Sequence, residues 1–205
     1  DTATALLREA RRPLVVAGGG VLYSQAGAAL AAFAQAHGVP VAETQAGKGS
    51  LAWNHPFNVG AIGVTGSPAA NALAAEADLV FAVGTRLQDF TTGSHTLFAP
   101  DANTLHLNVQ AFDAAKCGGV ALVADARNAL VRLDAALAGW QADVDWRVRA
   151  TSLARNSPIP PSSSIVTKAC FGMGRSMTSS MTLCSRIPCA RACAAICAST
   201  SGVRT

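Results

Sequence analysis

Charge and aromatic side chains are both scarce: 14% of the 205 residues are charged, 5% are aromatic, and the only tyrosine is Tyr23. No acidic residue follows Asp145. Long apolar runs are missing as well, since none approaches the roughly 20 consecutive residues that cross a bilayer. The first residues, Asp1, Thr2 and Ala3, carry neither the basic region nor the apolar stretch of a secretory signal. These absences point away from a membrane partner and toward a soluble, cytoplasmic chain. Half of the residues are apolar, enough to bury a core and unlike a disordered sequence. At roughly 100 to 200 residues per domain, the length admits one good domain and a fragment of a second.

The charges are unevenly placed. Up to Asp145 there are 8 basic residues against 12 acids, a net of −4, while the last 60 residues hold 8 basic residues and no acid. The cysteines divide at the same place: Cys117 lies before it, and Cys170, Cys184, Cys189, Cys193 and Cys197 lie after it. Two compositions are joined in one chain.

In the first part, short apolar runs alternate with segments of helical spacing. PLVVAGGG from Pro13 is a continuous apolar run closed by Gly18, Gly19 and Gly20, the pattern of a parallel strand buried on both faces. Ser24 is a candidate cap for the helix that follows, which Gly38 ends. PVAET makes a second strand, Ser67 starts a helix over Pro68 to Ala77, and DLVFAVGT from Asp78 to Thr85 makes a third. Thr104 to Val109 and Ala121 to Ala124 are further strands, and Arg127 to Ala138 is a last helix with Leu130, Val131, Leu133 and Leu137 on one face. This order predicts an α/β domain: a Rossmann-like, doubly wound, mainly parallel sheet of five or six strands with helices on both faces.

Three stretches are candidates for chemistry. The triple glycine places permissive backbone where a phosphate sits against a helix N-terminus. The dinucleotide pattern G-x-G-x-x-G is only half met, because Tyr23 holds the third glycine's place, although Glu43 ends the second strand where a ribose-binding acid would stand. The competing reading is a tight turn needing no side chains. The second stretch, AGKGSLAWNHPFNVGAIGVTGS, intersperses Gly47, Gly49, Gly60, Gly63 and Gly66 with Lys48, Asn54 and His55; it has the look of a binding loop but lacks the Walker spacing. His55, before Pro56, reads as a backbone-bonded structural residue rather than a base, since no carboxylate or nucleophile is fixed near it by spacing. In the third, GTRLQDF, Arg86 and Asp89 stand beyond the strand edge where doubly wound folds bind ligands, and serve either as a loop-holding ion pair or at a ligand or interface. Gly18, Gly19, Gly20, Lys48, Arg86 and Asp89 are thus the candidate cofactor contacts.

Taken together, the strand-one glycines, AGKG followed by HP, VGAIGVTG, ANALAAEAD and VGTRLQDF resemble, in order and spacing, the central domain of thiamine diphosphate-dependent enzymes such as acetolactate synthase and pyruvate decarboxylase. The resemblance runs from Arg12 to about Trp140. The words ETQAGKGSLAWNHPFNVGAIGVTGS, GTRLQDFTTGS and LNVQAFDA are most similar to a ring-opening branch that hydrolyses a cyclic diketone of myo-inositol degradation to a deoxyglucuronic acid. The resemblance implies thiamine diphosphate and Mg2+ in the complete enzyme, with chemistry supplied by the cofactor. It places the catalytic glutamate in a preceding pyrimidine-binding domain and the G-D-G motif for magnesium and diphosphate in a following one. No catalytic residue and no metal ligand are therefore expected here, and the chain alone is expected to bind no cofactor and to be inactive.

Some members of this family bind FAD across the central domain; the resemblance is to those that kept the fold without it. The domain is then a spacer that presents strand-end loops to catalytic domains of its own chain and of neighbouring subunits in a homo-oligomer acting on a small molecule. A stand-alone NAD- or FAD-binding module using Gly18 to Gly20 and Glu43 is the alternative from another class, and another enzyme of the acetolactate synthase type is a third reading.

The expected domain is residues 1–148, with its core at about 12–140, followed by an irregular basic tail at 149–205. Cys189, Cys193 and Cys197 follow a C-x3-C-x3-C spacing that matches neither a zinc ribbon nor an iron–sulfur motif. Scattered arginines without aromatics make a weak footprint for nucleic acid, so none is expected as a partner. The loss of acids, the cysteine cluster and the end of the resemblance coincide, as in an out-of-frame translation that begins between about residues 145 and 160. Translating the encoding DNA in its other frames from that point tests this: an acidic, apolar α/β sequence with G-D-G and a downstream Asn is the expected result, and its absence from every frame makes the tail a genuine product.

Overall fold

A computed structural model describes residues 2–156. The cysteine-rich stretch, with its C-x3-C-x3-C spacing, lies outside the described residues; the window of the expected change of frame, about residues 145 to 160, begins inside them and ends beyond them. Six strands form one all-parallel sheet: β1 (Pro13–Ala17), β2 (Val41–Glu43), β3 (Asn58–Ala61), β4 (Leu79–Val83), β5 (Asn103–Asn108) and β6 (Val120–Val123), in the order β3-β2-β1-β4-β5-β6. The doubly wound expectation holds. The order reverses between β1 and β4, which pair from Pro13↔Leu79 to Ala17↔Val83. That junction is the topological switch point of such a sheet.

Burial explains the strand sequences. PLVVA and LVFAV are buried at every position, as befits central strands covered on both faces. The helix α3 (Gly27–His37) connects β1 to β2 and packs on α7 (Ala126–Ala136), with Phe33 meeting Phe81 edge to face at a centroid distance of 6.1 Å. The crossover from β3 to β4 runs the other way, so right-handedness puts its helix α4 (Pro68–Glu76) on the opposite face. Ser67 caps α4 as expected, its Oγ accepting the Ala70 N–H at 3.1 Å. Gly38 ends α3 in the left-handed conformation at φ 65°.

The expected cap at Ser24 is not formed. A short helix, α2 (Gly19–Tyr23), intervenes, and Ser24 closes it by donating its hydroxyl to the Gly20 carbonyl at 2.6 Å; α3 starts from Ala26 without a side-chain cap. The strand β3 was hidden in the glycine-rich stretch, where its sequence NVGA has little strand propensity. Tertiary pairing with β2 supplies what propensity lacks, and Asn58 stabilises the register shift by accepting the Gly60 N–H at 2.9 Å. Two elements flank the expected core: α1 (Thr2–Glu9), which touches β6, and α8 (Val144–Asn156), which packs on β3 and α4.

The helix α8 runs through residue 148, so the described domain extends to Asn156. Trp146 and Ala150 are buried one turn apart, with Leu153 and Ala154 packed against the core a turn later. The Trp146 indole N–H donates to the Pro13 carbonyl at 2.9 Å, and Arg149 pairs with Glu76 of α4 at 2.7 Å. Trp146→Ala should therefore cost about 3–5 kcal/mol in urea unfolding. A midpoint unchanged by that substitution would show that α8 does not cover the sheet.

Candidate functional site

All strands point the same way, so the loops after β1, β2, β4 and β5 meet at one edge. After Ala17 the chain turns through the three glycines into α2. The Gly18 N–H donates to the Val83 carbonyl at 2.8 Å and the Gly20 N–H donates to the Gly84 carbonyl at 2.9 Å. A methyl on Gly20 would lie 2.6 Å from the Gly84 Cα, and one on Gly18 would collide with the Gly84 carbonyl and Thr85. Glycine is required here for contact between two backbones, and both amides are engaged by carbonyls. Gly47 closes the arrangement from the β2 side, where a methyl would strike the Ala17 carbonyl.

Glu43 is buried at the end of β2 and faces its own loop. Its Oε1 accepts the Gly49 N–H at 3.1 Å and the Leu51 N–H at 3.0 Å. Burial pushes its pKa above the usual carboxylate value, opposed by the Leu51 and Gly49 amides, the Asn58 side chain and the Lys48 charge. Lys48 itself is exposed on this loop. The acid that the sequence offered for a ribose thus holds residues 49–51.

Beyond the glycines lies an open cleft of about 480 Å³, bordered by Gly19, Gly20, Tyr23, Thr85, Arg86 and Gln110. Arg86 is brought here, but its partner is not Asp89. Its Nε lies 3.2 Å from Asp113 Oδ2, and Lys116 Nζ lies 3.3 Å from the other oxygen. Asp113 belongs to α6 (Ala111–Ala115), whereas Asp89 is exposed at the start of α5 (Asp89–Thr92). Between the two, Leu87 is buried with φ 45°, a conformation rare for a bulky side chain, and it turns the chain so that positions 86 and 89 separate. Spacing within one loop could not reveal Asp113, since that contact depends on the pairing of β4 with β5.

The other sequence candidate lies elsewhere. His55 precedes β3, at the opposite edge of the sheet, and its Nδ1 accepts the Phe57 N–H at 3.2 Å. It is backbone-bonded, as the sequence indicated, and burial lowers its pKa. A buried histidine that sequence reasoning missed, His106 of β5, has no hydrogen-bond partner at Nε2; burial lowers its pKa, with the Lys116 charge adding to the effect. Its apolar neighbours Leu105 and Leu107 were the only local signal, and they indicate a strand rather than a site. Among the described residues, no three His, Cys, Asp or Glu side chains converge to hold a metal.

The raised Glu43 pKa sets a pH dependence. A carboxyl whose folded pKa exceeds its unfolded value favours the fold while protonated, so its contribution is complete below about 4.5 and is lost as pH rises through the folded value. Glu43→Gln keeps an acceptor for both amides and carries no buried charge, so its stability relative to wild type should rise from about pH 4 to about pH 8. Glu43→Ala should lose about 1–3 kcal/mol by orphaning the two amides. Thermal unfolding across that pH range checks both; a flat Gln difference would mean an unburied carboxylate.

Comparison with known proteins adds the family. Residues 1–133 match the family described as thiamine pyrophosphate enzyme, central domain. The 3D-(3,5/4)-trihydroxycyclohexane-1,2-dione hydrolase of Geobacillus thermodenitrificans (strain NG80-2) is 50% identical over 135 residues, which are 66% of this chain and 21% of that protein. The hydrolase of the same name from Clostridium perfringens (strain ATCC 13124) is 43% identical over 138 residues, 67% of this chain and 22% of the relative. That of Bacillus cereus (strain AH820) is 43% identical over 132 residues, 64% of this chain and 20% of the relative. The chain therefore spans about a fifth of the length of these relatives. Its parallel sheet, its glycine-closed switch point and the match over most of the described domain make this chain a member of the thiamine pyrophosphate enzyme central-domain family.

Proposed function

We propose that this chain carries the central domain of a trihydroxycyclohexane-1,2-dione hydrolase, an enzyme of inositol degradation that opens a cyclic diketone to 5-deoxy-glucuronate by hydrolysis of a carbon–carbon bond. The domain serves as a scaffold and holds no nucleotide. The observation that carries this reading is the engagement of the Gly18 and Gly20 amides by the Val83 and Gly84 carbonyls. A phosphate at a strand-to-helix turn needs free amides. Identity of up to 50% to hydrolases of that name supports the reaction assigned.

Thiamine diphosphate, which the family name carries, does not fit the residues of this domain. The Gly18 and Gly20 amides of the switch point are occupied, the Arg86 and Lys116 charges converge on Asp113, and no metal-holding cluster exists among the described residues. In this reading the cofactor and its Mg2+ are held by other parts of a longer, cytoplasmic, homo-oligomeric enzyme, and no step of the reaction passes through this domain's side chains. Among the described residues no helix is long and apolar enough to cross a membrane.

Calorimetric titration of the chain with NAD, FAD, or thiamine diphosphate plus Mg2+ tests the scaffold reading. No saturable binding is expected at about 10 μM or tighter. Saturable NAD or FAD binding that disappears in Glu43→Ala would replace the scaffold with a nucleotide-binding module.

A further inference from the structure

Between β5 and the buried Ala126 runs a continuous stretch, residues 109–125, that carries α6 and β6. Ala114 is its one buried residue, whereas every position of β1 and β4 is buried. A segment with so little apolar burial opens at a lower cost than the sheet it lies on. It forms a flap at the border of that sheet, since β6 is the last strand and alternates between half-buried and exposed positions.

His106 sits under the flap. Its neighbour Leu107 borders a cavity with Gly20 and Ala126 on the α7 side, so the alternation of a strand turns His106 to the other face. The crossover from β5 to β6 runs in the same direction as that from β3 to β4. Right-handedness therefore puts α6 on the face of α4, where it packs on both β5 and β6. His106 is 2% exposed, and among the described residues nothing bonds its Nε2. Its partners in register are Ala82 of β4 and Ala121 of β6, which carry no charge. The charged groups on this face do not pair with it: Glu76 of α4 is bonded to Arg149, Asp89, His95 and Asp101 are exposed, and Asp113 of α6 holds Arg86 and Lys116. Burial, with the Lys116 charge adding to it, keeps the ring neutral and its pKa below the usual 6.5.

A second proton on this ring finds no acceptor while the flap is closed, whereas an open flap lets water solvate the imidazolium. A histidine whose folded pKa lies below its unfolded value contributes its full stability above about 6.5 and loses it as pH falls through the folded value. We infer that His106 is an acid-triggered release for residues 109–125: acid favours the open flap over the closed one, while β1 and β4 stay paired. Opening also reaches the cleft beside the three glycines. Asp113 belongs to the flap and Arg86 does not, so release withdraws the carboxylate that lies 3.2 Å from Arg86 Nε and leaves a cation at that cleft. This coupling is independent of the reaction proposed above.

Amide exchange of the 205-residue chain, followed by NMR and expressed as protection factors, tests the release. The Ala124 N–H, bonded to the Asn108 carbonyl at 3.1 Å, reports on the flap, and the Val15 N–H, bonded to the Pro40 carbonyl at 2.9 Å, reports on the centre of the sheet. From about pH 7.5 to about pH 5.5 the protection of Ala124 should fall, with about tenfold as the limit for a ring that stays neutral in the closed flap, while that of Val15 stays constant. The fall should vanish in His106→Leu. Should that variant fail to fold, the ring signal of His106 in the unaltered chain decides, and its midpoint should lie below 6.5. Constant protection at Ala124, an equal fall at Val15, a fall that survives His106→Leu, or a ring midpoint at or above 6.5 overturns the release.

Discussion

Three backbone turns touch at the C-terminal ends of β1, β2 and β4, and the rest of the edge is built outward from that contact. Gly20 lies against Gly84, Gly18 against Thr85, and Gly47 against Ala17. The missing Cβ atoms allow an approach that no other residue permits, and close approach turns the amides toward neighbouring carbonyls. One consequence is mechanical: the loop after β1 is tied to the end of β4 at the switch point of the sheet. Another is chemical, because the Gly18 and Gly20 amides, bonded to carbonyls, are no longer free donors where nucleotide-binding members of this fold hold a pyrophosphate.

The loop after β2 is held differently. Its hub is Glu43, a buried carboxyl that draws the Gly49 and Leu51 amides onto one oxygen. Each hydrogen bond favours the ionised form and desolvation opposes it, with desolvation the larger effect. The loop thus depends on a group whose charge is costly at neutral pH, while an amide side chain supplies the same acceptor without that cost. Arg86 and Lys116 make the complementary case, since their shared carboxylate, Asp113 of α6, pairs with Lys116 at the end of its own helix and with Arg86 from the loop after β4, which joins the β4 and β5 ends. Partly exposed ion pairs such as these add orientation more than stability.

The parts legible in the sequence are those whose signal is local. PLVVA and LVFAV announce central strands because burial on both faces demands an unbroken apolar run, and Ser67 and Gly38 mark helix ends through their own backbone chemistry. The strand β3 was not legible, because NVGA is a strand only through its pairing with β2. The helix α8 carried a readable pattern, with Trp146, Ala150 and Leu153 at helical spacing, but the disappearance of acids at the same place drew the domain boundary through it. At the site, Gly18 to Gly20 were located correctly as a turn, whereas the exchange of Asp89 for Asp113 as the partner of Arg86 depends on tertiary geometry.

The triple glycine admits two readings, phosphate cradle or packing contact, and the orientation of one carbonyl decides between them. Gly84, at φ 59°, accepts the Gly20 N–H at its carbonyl, while its own N–H donates to the Leu107 carbonyl at 2.8 Å. It is therefore fixed from both sides, by β1 and by β5. Freeing the Gly20 amide for a ligand means withdrawing that carbonyl, which breaks the bond to Gly20 and, because the residue moves as a unit, strains the bond to Leu107. At about 0.5–1.5 kcal/mol net for each bond, the hydrogen bonds alone would resist weakly. The larger resistance is packing: Leu107 and Val83 are fully buried beside the turn, and close-packed interiors do not yield gradually. A ligand would have to offset that repacking before gaining from the amide, and so the contacts of Gly18 and Gly20 withdraw from a phosphate two of the donors that an open turn would offer.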